Sequence, residues 1–189
     1  MNFTIISEKL TNGITKDLDY NEEKKEIIAY TIETVLLSIC GTFLIIILGC
    51  LLNALVPVVT AAVFGGILRR LSGGAHFNMP LKCLLFGTVI YSLIGVLAKK
   101  LIGHNLTNQH VLILILLISL LIVAILAPVD SQTKPIHSVV LRKKLKISSM
   151  ILIIVLLLII INSSNILLNV SAVLGIFYQS ITLLPIFNR

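Results

Sequence analysis

Long apolar runs separated by short polar segments dominate the chain, and they predict membrane helices. Residues 34–68 and 147–188, 35 and 42 residues long, hold no acidic or basic side chain. A single helix of either length would span about 50–60 Å, whereas the hydrocarbon core of a bilayer is about 30 Å thick. Each run therefore predicts two crossings, with reversals at Asn53–Pro57 and at the polar residues 162–165. The runs 83–98 and 111–127 bring the predicted total to six helices.

The segment before the first crossing, residues 1–33, has a different pattern. Its apolar residues recur at three- and four-residue spacing, with charged residues between them: Phe3, Ile6, Leu10, Ile14 and Leu18. This spacing predicts an amphipathic helix that lies on the cytoplasmic leaflet. Asn21, followed by Glu22 and Glu23, predicts a second helix start, because carboxylates stabilise the positive end of a helix. A solvated cap on the bundle and a substrate-binding role are both open for this segment.

The fold class that follows is an all-α polytopic membrane protein. The apolar runs do not alternate with polar residues, as the strands of a membrane barrel would. We expect one six-helix membrane domain over residues 34–188, with cytoplasmic loops at 69–82 and 128–146.

Composition agrees with this fold and excludes a soluble globular enzyme. Hydrophobic residues make up 57% and charged residues 12% of the 189 residues, and the mean hydropathy is +1.07. A soluble domain has about 25% charged residues. The low charge content also excludes a disordered chain.

The net charge of +7 indicates membrane orientation and not nucleic-acid binding. The basic residues lie between apolar runs, without interleaved aromatic residues. With six crossings, thirteen of the fifteen Lys and Arg residues fall on one side, and only Lys99 and Lys100 fall on the other. Cytoplasmic loops carry this excess. Both termini and the two long loops are therefore expected in the cytoplasm of a multi-pass cell-membrane protein, in contact with membrane lipids.

The loop at 69–82 carries the first candidate chemistry, because it brings His76 within seven residues of Cys83. A cysteine nucleophile needs a base, or a positive environment that favours the thiolate. Gly73, Gly74 and Pro80 interrupt the helix between them. If the next helix begins near Pro80, then Cys83 lies in its first turn, and the loop can fold His76 back onto the sulfur.

Structural explanations are also open for these residues. A cysteine near a helix end is commonly a small packing residue, and a histidine in a basic loop is commonly an interface residue. Cys40 and Cys50 lie inside the first apolar run and are interpreted as structural. No histidine has metal-ligand spacing with a cysteine or a carboxylate, so we expect no metal.

The second loop, 128–146, contains the one acidic residue beyond position 33, Asp130. Asp130 either orients His76 as the third member of a triad or pairs with Lys134 or with an arginine of the other loop. The basic run in this loop either contacts anionic lipid or holds an acidic peptide tail; its members are Arg142, Lys143, Lys144 and Lys146.

Together the two loops resemble the accessory gene regulator B (AgrB) family of membrane cysteine endopeptidases, which mature quorum-sensing pro-peptides in Gram-positive bacteria. The first resembling motif is Arg69-Arg70-x-x-Gly73-Gly74-x-His76, followed by Cys83 after six residues. The second is Ala127-Pro128-x-Asp130-x-x-x-Lys134-Pro135-Ile136. The resemblance covers essentially the whole chain.

The resemblance implies that His76 is the general base and Cys83 the nucleophile. The substrate would be a short amphipathic, AgrD-like pro-peptide. Cys83 would remove its acidic C-terminal tail through an acyl-enzyme thioester, and a substrate cysteine would then close a thiolactone ring. No cofactor is implied, because thioester exchange is nearly energy-neutral. Arg69, Arg70 or backbone N–H groups near Gly74 are candidates to stabilise the oxyanion, and a homodimer is a further expectation.

Two other functions fit six apolar helices. A small transporter or peptide-export component would need no covalent chemistry, although charge-coupled transporters usually hold ionisable groups inside the membrane. A structural or assembly subunit would bind a partner without processing it.

Overall fold

The computed structural model describes residues 3–16, 20–75, 79–104, 107–129 and 138–188. The described residues form seven α-helices and a short C-terminal 3₁₀ helix, Pro185–Phe187. In chain order the helices are α1 Phe3–Ile14, α2 Glu22–Leu51, α3 Leu55–Ser72, α4 Pro80–Gly103, α5 Gln109–Leu126, α6 Val139–Asn162 and α7 Ile166–Ile181. The all-α fold class predicted from sequence is therefore confirmed.

The helices from α2 onward correspond to the six predicted apolar crossings. Five of them, α2 to α6, are long and apolar enough to cross a membrane. The sixth, α7, has 16 residues and is about 24 Å long at 1.5 Å per residue. Large apolar side chains face outward from the bundle, as expected where lipid is the solvent; Phe43, Leu121 and Ile125 are each more than 60% exposed. The chain is thus a multi-pass membrane protein.

The predicted chain reversals are confirmed. After α2 the backbone turns at Asn53, which has a φ of 50°, and Pro57 follows in the first turn of α3. Asn tolerates this left-handed conformation better than most residues. Between α6 and α7 the side chain of Asn165 accepts a hydrogen bond from the backbone N–H of Leu168 and caps α7.

Two of the crossing helices extend beyond the apolar runs that predicted them. The helix start predicted at Asn21 is confirmed, since its side chain accepts from the N–H of Lys24, but this helix continues without a break into the first crossing, which was expected to begin near residue 34. Similarly, residues 139–146 were expected in a loop, but they form the first two turns of α6, capped by Ser138. Charged residues mark the edge of a membrane span but do not end a helix, since Lys, Arg and Glu are good helix formers.

The N-terminal helix α1 packs against α2, and Thr4 donates a hydrogen bond to Glu33 over 3.2 Å. Its buried residues are Phe3, Ser7 and Thr11, and the two hydroxyl groups donate to carbonyls of their own helix. Ile6, Leu10 and Ile14 are exposed. The predicted helix is therefore present with an exposed apolar face, while Leu18 lies outside the described residues. Its position on the cytoplasmic leaflet stays a prediction.

Helix α3 lies at the centre of the bundle, where it packs against α2, α4, α6 and α7. Glycines allow the close approach. A Cβ at Gly175 of α7 would come within 2.4 Å of the Ala61 carbonyl oxygen of α3, and one at Gly95 of α4 would come within 2.6 Å of the backbone of Val58. Small residues at helix contacts are the usual means of close packing between membrane helices. This packing fixes the ends of α3, α4 and α7, where the candidate site lies.

Candidate active site

Cys83 lies in the first turn of α4, as predicted. Pro80 is the first residue of that helix, and the Cys83 backbone N–H donates to the carbonyl of Met79 over 3.3 Å. Proline suits this position because its missing N–H would be unpaired there in any case. The Cys83 side chain is partly buried, and none of the three cysteines forms a disulfide.

Arg69 reaches Cys83 from the last turn of α3. Its Nη2 atom donates to Sγ of Cys83 over 3.2 Å, and the same nitrogen donates to the backbone carbonyl of Ala75. The guanidinium is half-buried. A charge-assisted hydrogen bond is about twice as strong as a neutral one. Arg69 therefore supplies a positive charge in direct contact with the sulfur.

Hydrogen bonds from two other parts of the bundle fix the backbone of residues 72–75, which follow α3. On one side, the N–H of Val129, just after α5, donates to the carbonyl of Ser72 over 2.9 Å, and Gly73 lies directly against Val129. On the other side, the N–H of Ala75 donates to the carbonyl of Thr182 at the end of α7 over 3.2 Å. The structure therefore brings the segments of both predicted loops together at one end of the bundle.

The two glycines of this segment have positive φ values, 70° for Gly73 and 128° for Gly74. Only glycine adopts such conformations readily. A Cβ at Gly74 would also lie 2.7 Å from the Thr182 hydroxyl oxygen. Gly74 is thus required by backbone conformation and by close packing against α7.

Two tyrosines lie near Arg69 and Cys83, further along the helices. The rings of Tyr91 on α4 and Tyr178 on α7 meet edge to face, with centroids 5.7 Å apart. Both phenols are close enough to Arg69 and Cys83 to interact with them electrostatically. The Tyr91 hydroxyl is buried and has no hydrogen-bond partner among the described residues.

The remaining predicted site residues divide into two groups. His76, Asp130 and Lys134 lie outside the described residues, so the proposed dyad and the triad alternative both stay predictions. Arg70 is exposed in the last turn of α3. The basic run lies in the first two turns of α6, where its first three members are exposed and the last is half-buried: Arg142, Lys143, Lys144 and Lys146.

The sequence interpretation missed the contribution of α7. Gln179 and Thr182 bind the Gly73–Ala75 segment, and Gln179 is completely buried. Polar residues within membrane helices often have a functional role, but Gln179 is one of several on α7, together with Asn169, Ser171 and Ser180, so the sequence did not single it out. Within the described residues, no group of three His, Cys, Asp or Glu side chains is placed to hold a metal ion.

The fold and the site define a class: a small polytopic helical membrane protein with an arginine-bound cysteine at the start of one helix. Comparison with known proteins specifies this class further. The family model for accessory gene regulator B (AgrB) matches residues 7–183. The chain belongs to the AgrB family, and the resemblance noted from the two loop motifs is confirmed.

Individual relatives agree with the family assignment. An AgrB-like protein of Clostridium perfringens strain SM101 is 29% identical over 196 residues, covering 97% of this chain and 92% of the relative. AgrB-like protein 2 of C. perfringens strain 13 is 30% identical over 148 residues, covering 77% and 69%. An AgrB-like protein of Lactiplantibacillus plantarum is 28% identical over 149 residues, covering 77% and 72%. No solved structure matches the chain. Family membership links the chain to the processing of quorum-sensing peptides.

Proposed function

We propose that this protein is a membrane-embedded cysteine endopeptidase and cyclase. Its substrate is a short, AgrD-like autoinducer pro-peptide. Cys83 is the nucleophile and His76 the general base. The observation that carries the proposal is the contact between the Arg69 guanidinium and Sγ of Cys83. This contact places a fixed counter-charge on the sulfur that must attack as a thiolate.

The first chemical step is attack of the Cys83 thiolate on the carbonyl carbon before the acidic tail of the pro-peptide. The carbon–nitrogen bond breaks, and the tail leaves as an amine after accepting a proton from protonated His76. The N-terminal part remains bound to Cys83 as a thioester. Arg69 is the candidate for stabilising the developing oxyanion, since it already donates to the attacking atom.

The second step releases the product without added energy. A thiolate of the substrate attacks the thioester carbonyl, a new carbon–sulfur bond closes the thiolactone ring, and Cys83 leaves as a thiolate. One thioester replaces another, so no nucleotide is consumed. Water would hydrolyse the intermediate, and a site at the membrane boundary limits its access.

The remaining predictions are part of the same proposal. Both termini and the site face the cytoplasm, and residues 1–33 form an interfacial segment beside the membrane domain. The exposed basic turns of α6 suit an acidic substrate tail or anionic lipid. Asp130 either orients His76 or forms a structural pair with Lys134 or with an arginine of the first loop, and a homodimer is expected.

Co-expression with the cognate pro-peptide tests the proposal. We expect Cys83→Ala and His76→Ala to abolish cleavage, and Cys40→Ala and Cys50→Ala to retain it, as measured by mass spectrometry of the peptide products. Cleavage that persists in Cys83→Ala and disappears in Cys40→Ala would overturn the assignment. Cleavage unaffected by any of these changes would leave transport as the better function.

A further inference from the structure

Gln179 is a completely buried polar residue in the last turns of α7. Burying an amide without hydrogen bonds costs free energy, so buried amides are normally paired with partners. The side-chain contacts of Gln179 are therefore informative about why an amide occupies this position.

Only one half of the Gln179 amide is paired among the described residues. Its Nε2 atom donates to the backbone carbonyl of Gly73 over 2.8 Å. A carbonyl oxygen can only accept, so this contact fixes which end of the amide faces Gly73. The other end, Oε1, is buried with no partner in the described part of the chain. The described role of the amide is therefore its bond to the Gly73 carbonyl, which an apolar residue of similar size would not make.

The segment that Gln179 holds leads directly to the candidate nucleophile. Gln179 and Thr182 bind Gly73 and Ala75, respectively. The Ala75 carbonyl accepts from Arg69, and Arg69 donates to Sγ of Cys83. Hydrogen bonds and the short backbone segment Gly73–Ala75 therefore connect the end of α7 to the sulfur.

The backbone of this segment depends on such contacts. Gly73 and Gly74 both have positive φ, and glycine loses more conformational freedom on folding than any other residue. Without a partner on α7, two adjacent glycines would populate other conformations. The Ala75 carbonyl that accepts from Arg69 would then lose its fixed position.

We propose that Gln179 is a positioning residue that sets the reactivity of Cys83 through Gly73, Ala75 and Arg69. The inference rests on the proposed function of Cys83 as nucleophile. Gln179 touches neither the sulfur nor the reacting bond. It binds the Gly73 carbonyl, two residues before the Ala75 carbonyl that holds the guanidinium in place, and the guanidinium holds the thiolate.

The test measures the rate at which iodoacetamide alkylates Cys83 in the full-length protein in nanodiscs. The protein also carries Cys40→Ala and Cys50→Ala, so that Cys83 is the one thiol that can react. We expect Gln179→Leu to lower the second-order rate about five- to tenfold, which lies within the range of coupling between groups in one hydrogen-bonded network. The matched control is Asn169→Leu. Asn169 is also a buried amide on α7 that donates to one backbone carbonyl, that of Ser163 over 3.1 Å, at the opposite end of the helix. The control should change the rate less than about twofold.

A double substitution separates positioning from general destabilisation. If Gln179 acts through Arg69, then Gln179→Leu should have little further effect on the alkylation rate once Arg69→Gln is present. The inference is overturned if the rate reductions caused by Gln179→Leu and by Arg69→Gln multiply in the double variant. It is also overturned if Gln179→Leu alone is alkylated as fast as the parent protein with Cys40→Ala and Cys50→Ala. If Gln179→Leu does not fold, then Gln179→Met, which keeps the unbranched side chain but lacks the N–H donor, takes its place.

The alkylation assay uses no peptide substrate. The peptidase proposal and the positioning role of Gln179 can therefore be overturned independently of each other. Peptide cleavage that persists in Cys83→Ala would overturn the peptidase proposal whatever the alkylation rates are. Cleavage lost in Cys83→Ala, with wild-type alkylation in Gln179→Leu, would overturn only the role of Gln179.

Discussion

Replacing Arg69 with glutamine tests the contact on which the proposed chemistry depends. The change keeps a polar side chain but removes the positive charge and the forked donor geometry. In the wild type, Arg69 Nη2 lies 3.2 Å from Sγ of Cys83. A hydrogen bond to a charged partner contributes about 1.5–3 kcal/mol. Since about 1.4 kcal/mol corresponds to a factor of ten, the acylation rate should fall about 10- to 140-fold.

Arg69→Lys is expected to have an intermediate effect. Lysine restores the charge but concentrates it on one nitrogen without the planar guanidinium fork. It would therefore not reproduce the joint contact with the Ala75 carbonyl and Sγ of Cys83. Arg70→Gln should have a smaller effect than Arg69→Gln, because Arg70 is exposed.

The assay is single-turnover cleavage of the synthetic pro-peptide by enzyme in nanodiscs, followed by quenching and mass spectrometry. Lys100→Gln, which removes one exposed charge at the far end of α4, is the control and should leave the rate unchanged. An Arg69→Gln rate within twofold of wild type would refute the assignment of a chemical role to the contact between Arg69 and Cys83.

Three further predictions follow from the packing and the topology. Gly74→Ala should abolish processing, since its Cβ would lie 2.7 Å from the Thr182 hydroxyl at a φ of 128°; peptide mass spectrometry after co-expression measures this. Gly175→Ala should lower the free energy of unfolding by about 1–3 kcal/mol, because its Cβ would lie 2.4 Å from the Ala61 carbonyl oxygen; urea or SDS unfolding measures this. Cys83 should react with a membrane-impermeant maleimide added from the cytoplasmic side only, as measured in inside-out and right-side-out vesicles.

Each of these predictions has a control or a contrary result. At Gly66 and Gly103 an added methyl group would meet no other part of the described residues within 4 Å, so Gly66→Ala and Gly103→Ala should leave processing unchanged and should not destabilise the fold, since Ala is the better helix former. Full processing by Gly74→Ala would contradict the packing of this segment against α7. A Gly175→Ala protein as stable as wild type would contradict the close contact of α3 and α7. Maleimide labelling from outside would contradict the orientation inferred from the basic residues.

The sequence was sufficient for the local features of the site. Pro80 predicted the start of α4 and so the position of Cys83 in its first turn, and Gly73–Gly74 predicted the end of α3. These features depend on residues close in sequence, whose backbone preferences are strong.

The sequence pattern could not predict the contacts between helices. Uniform Leu and Ile runs do not show which faces of α3, α4 and α7 meet, so the pairing of Arg69 with Cys83 and the role of Gln179 could not be derived. The start of α6 at Val139 was also missed, as was the unbroken continuation of the helix that starts at Glu22 into the first crossing. Hydropathy locates the membrane boundary of a helix, whereas capping residues and helix propensity determine where it begins.

Detection of the acyl-enzyme tests most directly whether Cys83 is the nucleophile. Wild-type protein and Cys83→Ser protein would each be incubated with the pro-peptide, quenched in acid and digested, and the peptide containing residue 83 examined by mass spectrometry. We expect a thioester adduct of the tail-less peptide on Cys83 in the wild type. In Cys83→Ser we expect either uncleaved pro-peptide or a stable ester on the serine. Normal tail-less product from Cys83→Ser, with no adduct at residue 83 in either protein, would contradict the role of Cys83 as nucleophile.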